Sequence, residues 1–381
     1  MAETIYIDLT ELISFPVRTG IQRVERELIR NWEGPAKLVP IRFESSSGFL
    51  EVNPEILQRL NDPQPTGNID VLKAETANLV PCLLNNPVLD MRDPNISILN
   101  LELFFDPERC AYYRGLPPSI AKKTFFLVYD FFPHLRPEFF DNGATKYCMH
   151  YVKTIREISN IGFISQQTKQ EFSKRITRGQ RDGGPVFPLG GDGVSLEKQV
   201  FSKERHAFAI VGTIEPRKQV FKVLKAFEML WAKNIDAELF IIGKLTPQAR
   251  QENELLSRLA GDRRLHYCAY ASDDEMRSIM RRTRATIFVS AVEGFGIPPY
   301  ESLTAGIPVI CCTHEVPSLQ LISDDGQFRL PDTDPSTIAN AVESVLDDEF
   351  CSRLWEKAAR IEIPTWKEFA RKLAAWTSGA A

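Results

Sequence analysis

The stretch ATIFVSAVEGFGIPPYESLTAGIPVI, residues 285–310, decides how the rest of the chain is read. An apolar run rich in β-branched residues, ATIFVSA, gives way to a turn of glycines and prolines, then a helical pattern, then a second apolar run, IPVI. Strand–turn–helix units of this kind, repeated, build parallel α/β sheets. Gly294 and Gly296 admit backbone conformations closed to other residues, and Pro298 or Pro299 suits helix position N1. This spacing puts Glu293 in the loop and Glu301 in the first helical turn. The two carboxylates can then bracket one ligand: free amides at the helix start favour a phosphate, and a carboxylate accepts hydrogen bonds from a sugar diol. An equally open reading has Glu301 offsetting the helix dipole and Glu293 solvated.

The same alternation runs outward from this stretch and occurs twice. Strands are expected in the first half at 4–10, 37–43, 96–105, 123–130 and 161–166, with helices at 20–32, 144–159 and 167–177. The second half carries strands at 207–214, 237–244, 264–270, 285–291 and 307–312, each followed by a helical pattern. Residues 335–359 read as helix, and Pro364 suits the first turn of a last helix. Between the halves, RGQRDGGPVFPLGGDG (178–193) reads as a linker with one short extended piece. The expected organisation is a domain over 1–185, a second over 186–360, and a terminal helix in 361–381 packing back towards the first. The segment 44–95 is dotted with prolines, weakly periodic, and expected to hold little regular structure.

Bulk properties agree with a two-domain soluble protein. At 381 residues the chain exceeds what one core usually serves, and 43% hydrophobic with 25% charged residues is ordinary. A net charge of -4, from 46 Lys plus Arg against 50 Asp plus Glu, argues against nucleic acid as a partner. The N-terminus MAETIYIDLT shows neither a signal peptide nor a membrane span, which favours the cytoplasm. Seven cysteines without CxxC spacing fit reduced thiols, with Cys311 and Cys312 read as small buried residues.

Ligands of parallel sheets bind beyond the carboxyl ends of the strands, so the loops there are the candidates for chemistry. In VGTIEPRKQVFKVLKAF (211–227), Arg217 and Lys218 stand where loop meets helix, either solvated or placed against an anion. After the first strand Gly20 opens a helix flanked by Arg18 and Arg23, a further approach for an anion. Asp130 enters DFFPHLRPEFF, where Pro133, His134 and Arg136 are expected to form a loop, and Asp130 acts either on an acceptor hydroxyl or as a local cap. DTD at 332–334 precedes Pro335 and reads as a turn and N-cap rather than a metal site.

EGFGIPPYESLTAGIPVI, with seven residues between Glu293 and Glu301, resembles the E-x7-E segment of retaining glycosyltransferases of family 4. VGTIEPRK is similar to that family's diphosphate loop, and TGIQRVEREL and YDFFP to its N-domain loops. The resemblance spans residues 4–375 except 44–95 and implies a GT-B fold: two Rossmann-like parallel-sheet domains facing each other across a cleft. It implies that Glu301 binds ribose hydroxyls and Glu293 faces the donor sugar, with Lys218 and Arg217 neutralising the diphosphate. Gly212, Thr213, Gly294, Phe295, Gly296 and Ile297 would line the donor site, with Gly20 approaching from the other domain. Asp130 would be catalytic, and His134 and Arg23 would lie towards the acceptor. Thr213 departs from the basic residue that many relatives carry there, and Arg217 is expected to supply that charge.

The activity so implied is metal-independent transfer of a hexose from a nucleotide sugar, with no cofactor. GDP-mannose is the favoured donor, UDP- and dTDP-sugars the alternatives, and the acceptor a surface polysaccharide such as O-antigen or a lipid-linked saccharide. A glycoside hydrolase would need both carboxylates flanking one bond. An inactive nucleotide-binding scaffold, an epimerase and a phosphorylase are the other readings. The basic stretch KQEFSKRITRGQR (169–181) is either a solvated helix end or a peripheral contact with anionic lipid.

Overall fold

The computed structural model describes residues 4–17, 19–61, 76–83, 86–194, 196–312 and 316–379. The chain divides into two compact units, one of residues 1–189 with 366–381 and the other of 190–365.

The first unit is built on strands β1 (Thr4–Asp8), β2 (Lys37–Glu44), β3 (Gly48–Glu51), β4 (Ser97–Asn100), β5 (Thr124–Val128) and β6 (Asn160–Phe163). Their order is β3-β2-β1-β4-β5-β6, parallel except for the β2–β3 hairpin. Direction of travel reverses between β1 and β4. Strands covered on both faces read as continuous apolar runs, and Ile5, Ile7, Ile98, Leu99, Phe126, Leu127 and Val128 are all buried. The terminal helix Trp366–Thr377 belongs to this unit, its Trp376 ring lying 4.9 Å from Phe125 and 5.1 Å from Phe187.

The second unit repeats the plan with β7 (Ala207–Val211), β8 (Glu238–Ile242), β9 (Leu265–Cys268), β10 (Thr283–Phe288), β11 (Val309–Cys311) and β12 (Gln327–Arg329). Here the order is β12-β11-β10-β7-β8-β9, every pair parallel. The reversal falls between β7 and β10, which puts the loops after those two strands at the crevice where doubly wound sheets take ligands.

Several elements differ from expectation for identifiable reasons. The run 96–105 keeps only β4 as strand, because Asn100 Nδ2 donates to Glu102 O at 2.9 Å and turns the chain out of the sheet. The segment 44–95 holds β3, a helix Glu55–Asn61 and a turn of 3-10 helix Val80–Leu83; residues 62–75, 84 and 85 lie outside the described residues. The expected helix 335–359 is two, Pro335–Leu346 and Asp348–Ala358, because Asp347 caps the second by accepting from Phe350 N at 2.8 Å. The helix 167–177 starts at Gln166 and finishes as a π turn, Phe172–Ile176. Pro364 precedes rather than opens the last helix, its carbonyl accepting from Gly191 N at 3.0 Å. Pro133 and His134 sit in a short helix, Phe132–Leu135, instead of a loop. Cys311 is buried and Cys312 partly exposed, and neither is bonded to another cysteine.

An ionic cluster that no sequence pattern signals lies at the carboxyl ends of β1 and β4. Arg109, wholly buried, donates through Nε to Asp8 Oδ2 at 3.1 Å and pairs with Glu102, while Glu102 Oε1 accepts from Leu12 N at 2.9 Å. Glu25 is buried with neither carboxyl oxygen hydrogen-bonded. Burial first, then the charge of Glu102, holds its carboxyl well above the usual range.

A carboxyl raised in the folded state is protonated there while its unfolded counterpart ionises, so stability is present below the unfolded value and lost as pH rises towards the folded one, about 1.4 kcal/mol per pH unit. Glu25→Gln keeps the shape and removes the charge. Its Tm is expected to exceed that of the unaltered chain by an amount that grows from pH 6 to pH 8; a constant or negative difference across that range would contradict this.

Candidate functional site

The site begins where β7 ends. Gly212 takes φ +129°, and a side chain built on it would meet no atom within 4 Å. The next loop must also be glycine there, because a Cβ on Gly243 would fall 1.9 Å from Gly212 O. Thr213 is exposed and Ile214 is buried, with its N–H on Lys244 O at 2.8 Å. Then come Glu215, a 3-10 turn over Pro216–Lys218, and Gln219 at φ +54°, which opens the helix Val220–Ala232.

The loop after β10 is sewn to this one. Ala291 N donates to Arg217 O at 2.7 Å, and Arg217 Nη1 donates to Val292 O at 3.0 Å and to Glu293 Oε2 at 3.0 Å. Arg217 Nη2 pairs with Glu215 Oε1 at 2.6 Å, and Lys218 Nζ pairs with Glu293 Oε1. Lys218 also lies 5.1 Å from the centre of the Phe288 ring. Glu293 is buried, which alone would raise its pKa; Lys218 and Arg217 outweigh that, with Ser290 donating, and bring it down to about 2. For Lys218 the balance goes the other way, burial lowering the ammonium pKa more than Glu293 restores it. The carboxylate is therefore fixed as an anion, and two acids, Glu215 and Glu293, balance two bases before any ligand arrives.

Gly294, Phe295, Gly296 and Ile297 are buried and lead into the helix Ile297–Thr304. Of the two glycines only Gly296 uses a conformation reserved for glycine, φ +97°, as the helix N-cap. Ser318 clamps it, Oγ donating to Gly296 O at 2.8 Å and N to Phe295 O at 2.9 Å. Ile297 takes N1 and Pro298 N2, one place later than expected. Glu301 is consequently the fifth helical residue, in the second turn rather than the first, and buried.

Gly296→Ala would need a left-handed conformation and would set its Cβ 2.7 Å from Val316 Cγ1. A loss of at least about 2 kcal/mol is expected, read by denaturant unfolding. An unchanged unfolding midpoint would contradict it.

Two recesses open beside these loops and share Val211, Ile287 and Phe288 as a common wall. One is lined by Glu301, Pro298, Pro299 and Met276; the other by Gly212, Thr213, Lys218 and Ser290. The first offers apolar walls and a single carboxylate, the second one cation, Lys218, and open backbone.

The sequence-derived residues thus fall into two sets. Lys218, Arg217, Glu293, Glu301, Gly212, Thr213 and 294–297 are brought together in the second unit. Gly20, Arg23, Asp130 and His134 belong to the first. There, Gly20 is the exposed first residue of the helix Gly20–Arg30, and Thr19 caps it by accepting from Gln22 N at 3.3 Å. Arg23 is half-buried on that helix, and Arg18 lies outside the described residues. Asp130 Oδ1 accepts from Phe132 N at 3.0 Å, and His134 is partly exposed.

In DTD, Asp332 makes the turn by accepting from Asp334 N at 2.9 Å, and Thr333 bonds to Gln219 and Lys222. Sequence reasoning missed Glu215, Ser290 and Phe288; the alternating charges of EPRK were the available signal for the first.

Residues 195–362 match the family described as glycosyl transferases group 1. A serotype-specific mannosyltransferase WbdA of Escherichia coli is 34% identical over 399 residues, covering 96% of this chain and 45% of that protein. This chain therefore spans about half the length of the curated relatives it matches. In fold it is similar to Anabaena Alr3699/HepE, solved with UDP and glucose, at TM-score 0.66 and 15% identity over 99% of this chain and 100% of that one. Sucrose-phosphate synthase of Thermosynechococcus elongatus gives TM-score 0.61 at 14% identity, over 99% and 96%.

Proposed function

Residues 195–362 belong to the glycosyl transferases group 1 family and the chain has the GT-B fold, and on that premise we propose that it transfers mannose from GDP-mannose, with retention of anomeric configuration, onto a surface polysaccharide or lipid-linked saccharide. The observation that carries the reading is the cluster of Lys218, Arg217 and Glu293 at the β7–β10 reversal, beside the recess that Glu301 lines. The mannosyl donor and the O-antigen setting are supported by what the relatives are named for.

Breaking the bond to the donor sugar leaves negative charge on a nucleoside diphosphate and positive character at the sugar carbon. Preorganised positive groups therefore stabilise the transition state. Lys218 and Arg217 supply them beside Gly212, whose open backbone lets phosphate approach; the start of the helix Ile297–Thr304 adds little, because Pro298 and Pro299 carry no N–H. Once the phosphates take over the cations, the Glu293 carboxylate is released to face the reacting sugar. Glu301, in the neighbouring recess, accepts from the ribose hydroxyls. Asp130 is assigned a catalytic role, His134 and Arg23 to the acceptor, and Gly20 to the donor phosphates. With these charges no metal is needed.

No helix among the described residues is long and apolar enough to cross a membrane. We assign the enzyme to the cytoplasm, where Lys174, Arg175 and Arg178, all exposed, are available to an anionic lipid surface.

The test incubates the chain with GDP-mannose, UDP-glucose or dTDP-rhamnose and a mannan-type acceptor, with and without EDTA, and measures released nucleoside diphosphate and the anomeric proton of the product. Release from GDP-mannose with an α-linked product, unaffected by EDTA, is expected. Release from another donor would move the assignment to that sugar; binding without release from any would make the chain a nucleotide-binding protein.

A further inference from the structure

Arg217 has partners on both of its terminal nitrogens. Nη1 serves Glu293 Oε2 and Val292 O, each at 3.0 Å, and Nη2 serves Glu215 Oε1 at 2.6 Å. Glu293 is the partner a donor diphosphate must displace, because it occupies Lys218 and Arg217 together. Displacing it opens one of the two Nη1 contacts, that to Val292 O staying in place, and leaves Nη2 where it was.

Glu215 itself has little freedom. Its carbonyl accepts from Lys218 N at 2.9 Å to close the 3-10 turn, Pro216 follows it, and buried Ile214 before it is tied to Lys244 O. Its side chain is 19% exposed, shielded enough for its ion pair with Arg217 to escape much of the screening of an exposed pair.

We propose that Glu215 is a positioning residue for transfer: it anchors the Arg217 guanidinium by Nη2 while Nη1 passes from Glu293 to the leaving diphosphate. This rests on the reading of the site as the donor site. It gives the second carboxylate beside the cations a purpose that charge balance alone does not. If Glu215 only neutralised charge, removing it would strengthen the grip on an anion; if it positions Arg217, removing it weakens that grip, since a guanidinium without its Nη2 anchor must be ordered further by the ligand.

The experiment measures the affinities of GDP and GMP, with UDP and UMP alongside, for the unaltered chain and for Glu215→Gln, Glu215→Ala and Glu215→Asp. The diphosphate-to-monophosphate affinity ratio is expected to fall about 10-fold in the Gln and Ala variants, with Asp recovering part of it. The unfolding temperature, measured in parallel, separates this from a folding defect, which would lower both affinities together and leave the ratio alone. An unchanged ratio, or tighter diphosphate binding in Glu215→Gln, overturns the proposal while the donor-site reading stands. Failure of the unaltered chain to bind any of the diphosphates overturns that reading and this inference with it.

Discussion

Glu293→Gln is expected to lower turnover by about 100-fold or more while leaving diphosphate affinity unchanged or higher. The opposite signs follow from the resting geometry. The carboxylate is fixed as an anion by Lys218 and Arg217, with a pKa of about 2, so it competes with phosphate for the same two cations. An amide keeps the shape and a hydrogen bond but not the charge, and the competition weakens. On the proposed reading, what is lost is the negative group that faces the sugar carbon when positive character develops there, an interaction made in the transition state rather than the ground state. Steady-state turnover and a titration with GDP, on the same preparation, check both halves. Parallel loss of affinity and turnover would instead place Glu293 in ground-state binding, and an unchanged turnover would remove it from the chemistry.

Arg109→Ala is expected to cost about 3–5 kcal/mol, because it leaves Asp8 and Glu102 buried without their shared counter-charge. With total stabilities of about 5–15 kcal/mol, this removes a large part of what holds the first unit together. Lysine should not rescue it, since one ammonium cannot reproduce the Nε contact to Asp8, the Nη2 contact to Glu102 and the stacking of the guanidinium 3.9 Å from the Phe104 ring centre. Glu102, raised to about 7 chiefly by burial, should take up a proton when Arg109 is gone, so the loss should be smaller at pH 5.5 than at pH 7.5. Urea unfolding at the two pH values checks this; a loss below 1 kcal/mol at both would show that the cluster is hydrated and contributes little.

Most of the sheet framework is legible in the sequence because buried parallel strands are written as apolar runs and their loops are punctuated by glycine and proline. β7, β8 and β10 can be placed within a few residues in this way. β12, only Gln327–Arg329, cannot, since it carries one apolar residue and exists through its pairing with β11. β3 is hidden for a similar reason, being the return of a hairpin across three serines.

In the candidate site, Arg217, Lys218, Glu293 and Glu301 are visible because each follows a strand at a spacing with a stereochemical meaning. Glu301 lies one or two positions further into the helix than the sequence suggests, since adjacent prolines leave N1 ambiguous and Gly296 decides it through its φ of +97°. The pairing of Arg217 with Glu215 is short-range and could have been suspected. That of Arg109 with Asp8, 101 residues away, could not, because only the folded sheet brings β1 beside the helix Pro107–Arg114.

The most direct measurement of the central claim, that the β7–β10 loops hold a nucleoside diphosphate, is a crystal structure of the chain grown with GDP or UDP. The expected result is phosphate oxygens on Lys218 Nζ and Arg217 Nη1, ribose hydroxyls on Glu301, and Glu293 no longer paired with either cation. Nucleotide bound elsewhere, or bound here with both Glu293 ion pairs intact, would contradict it.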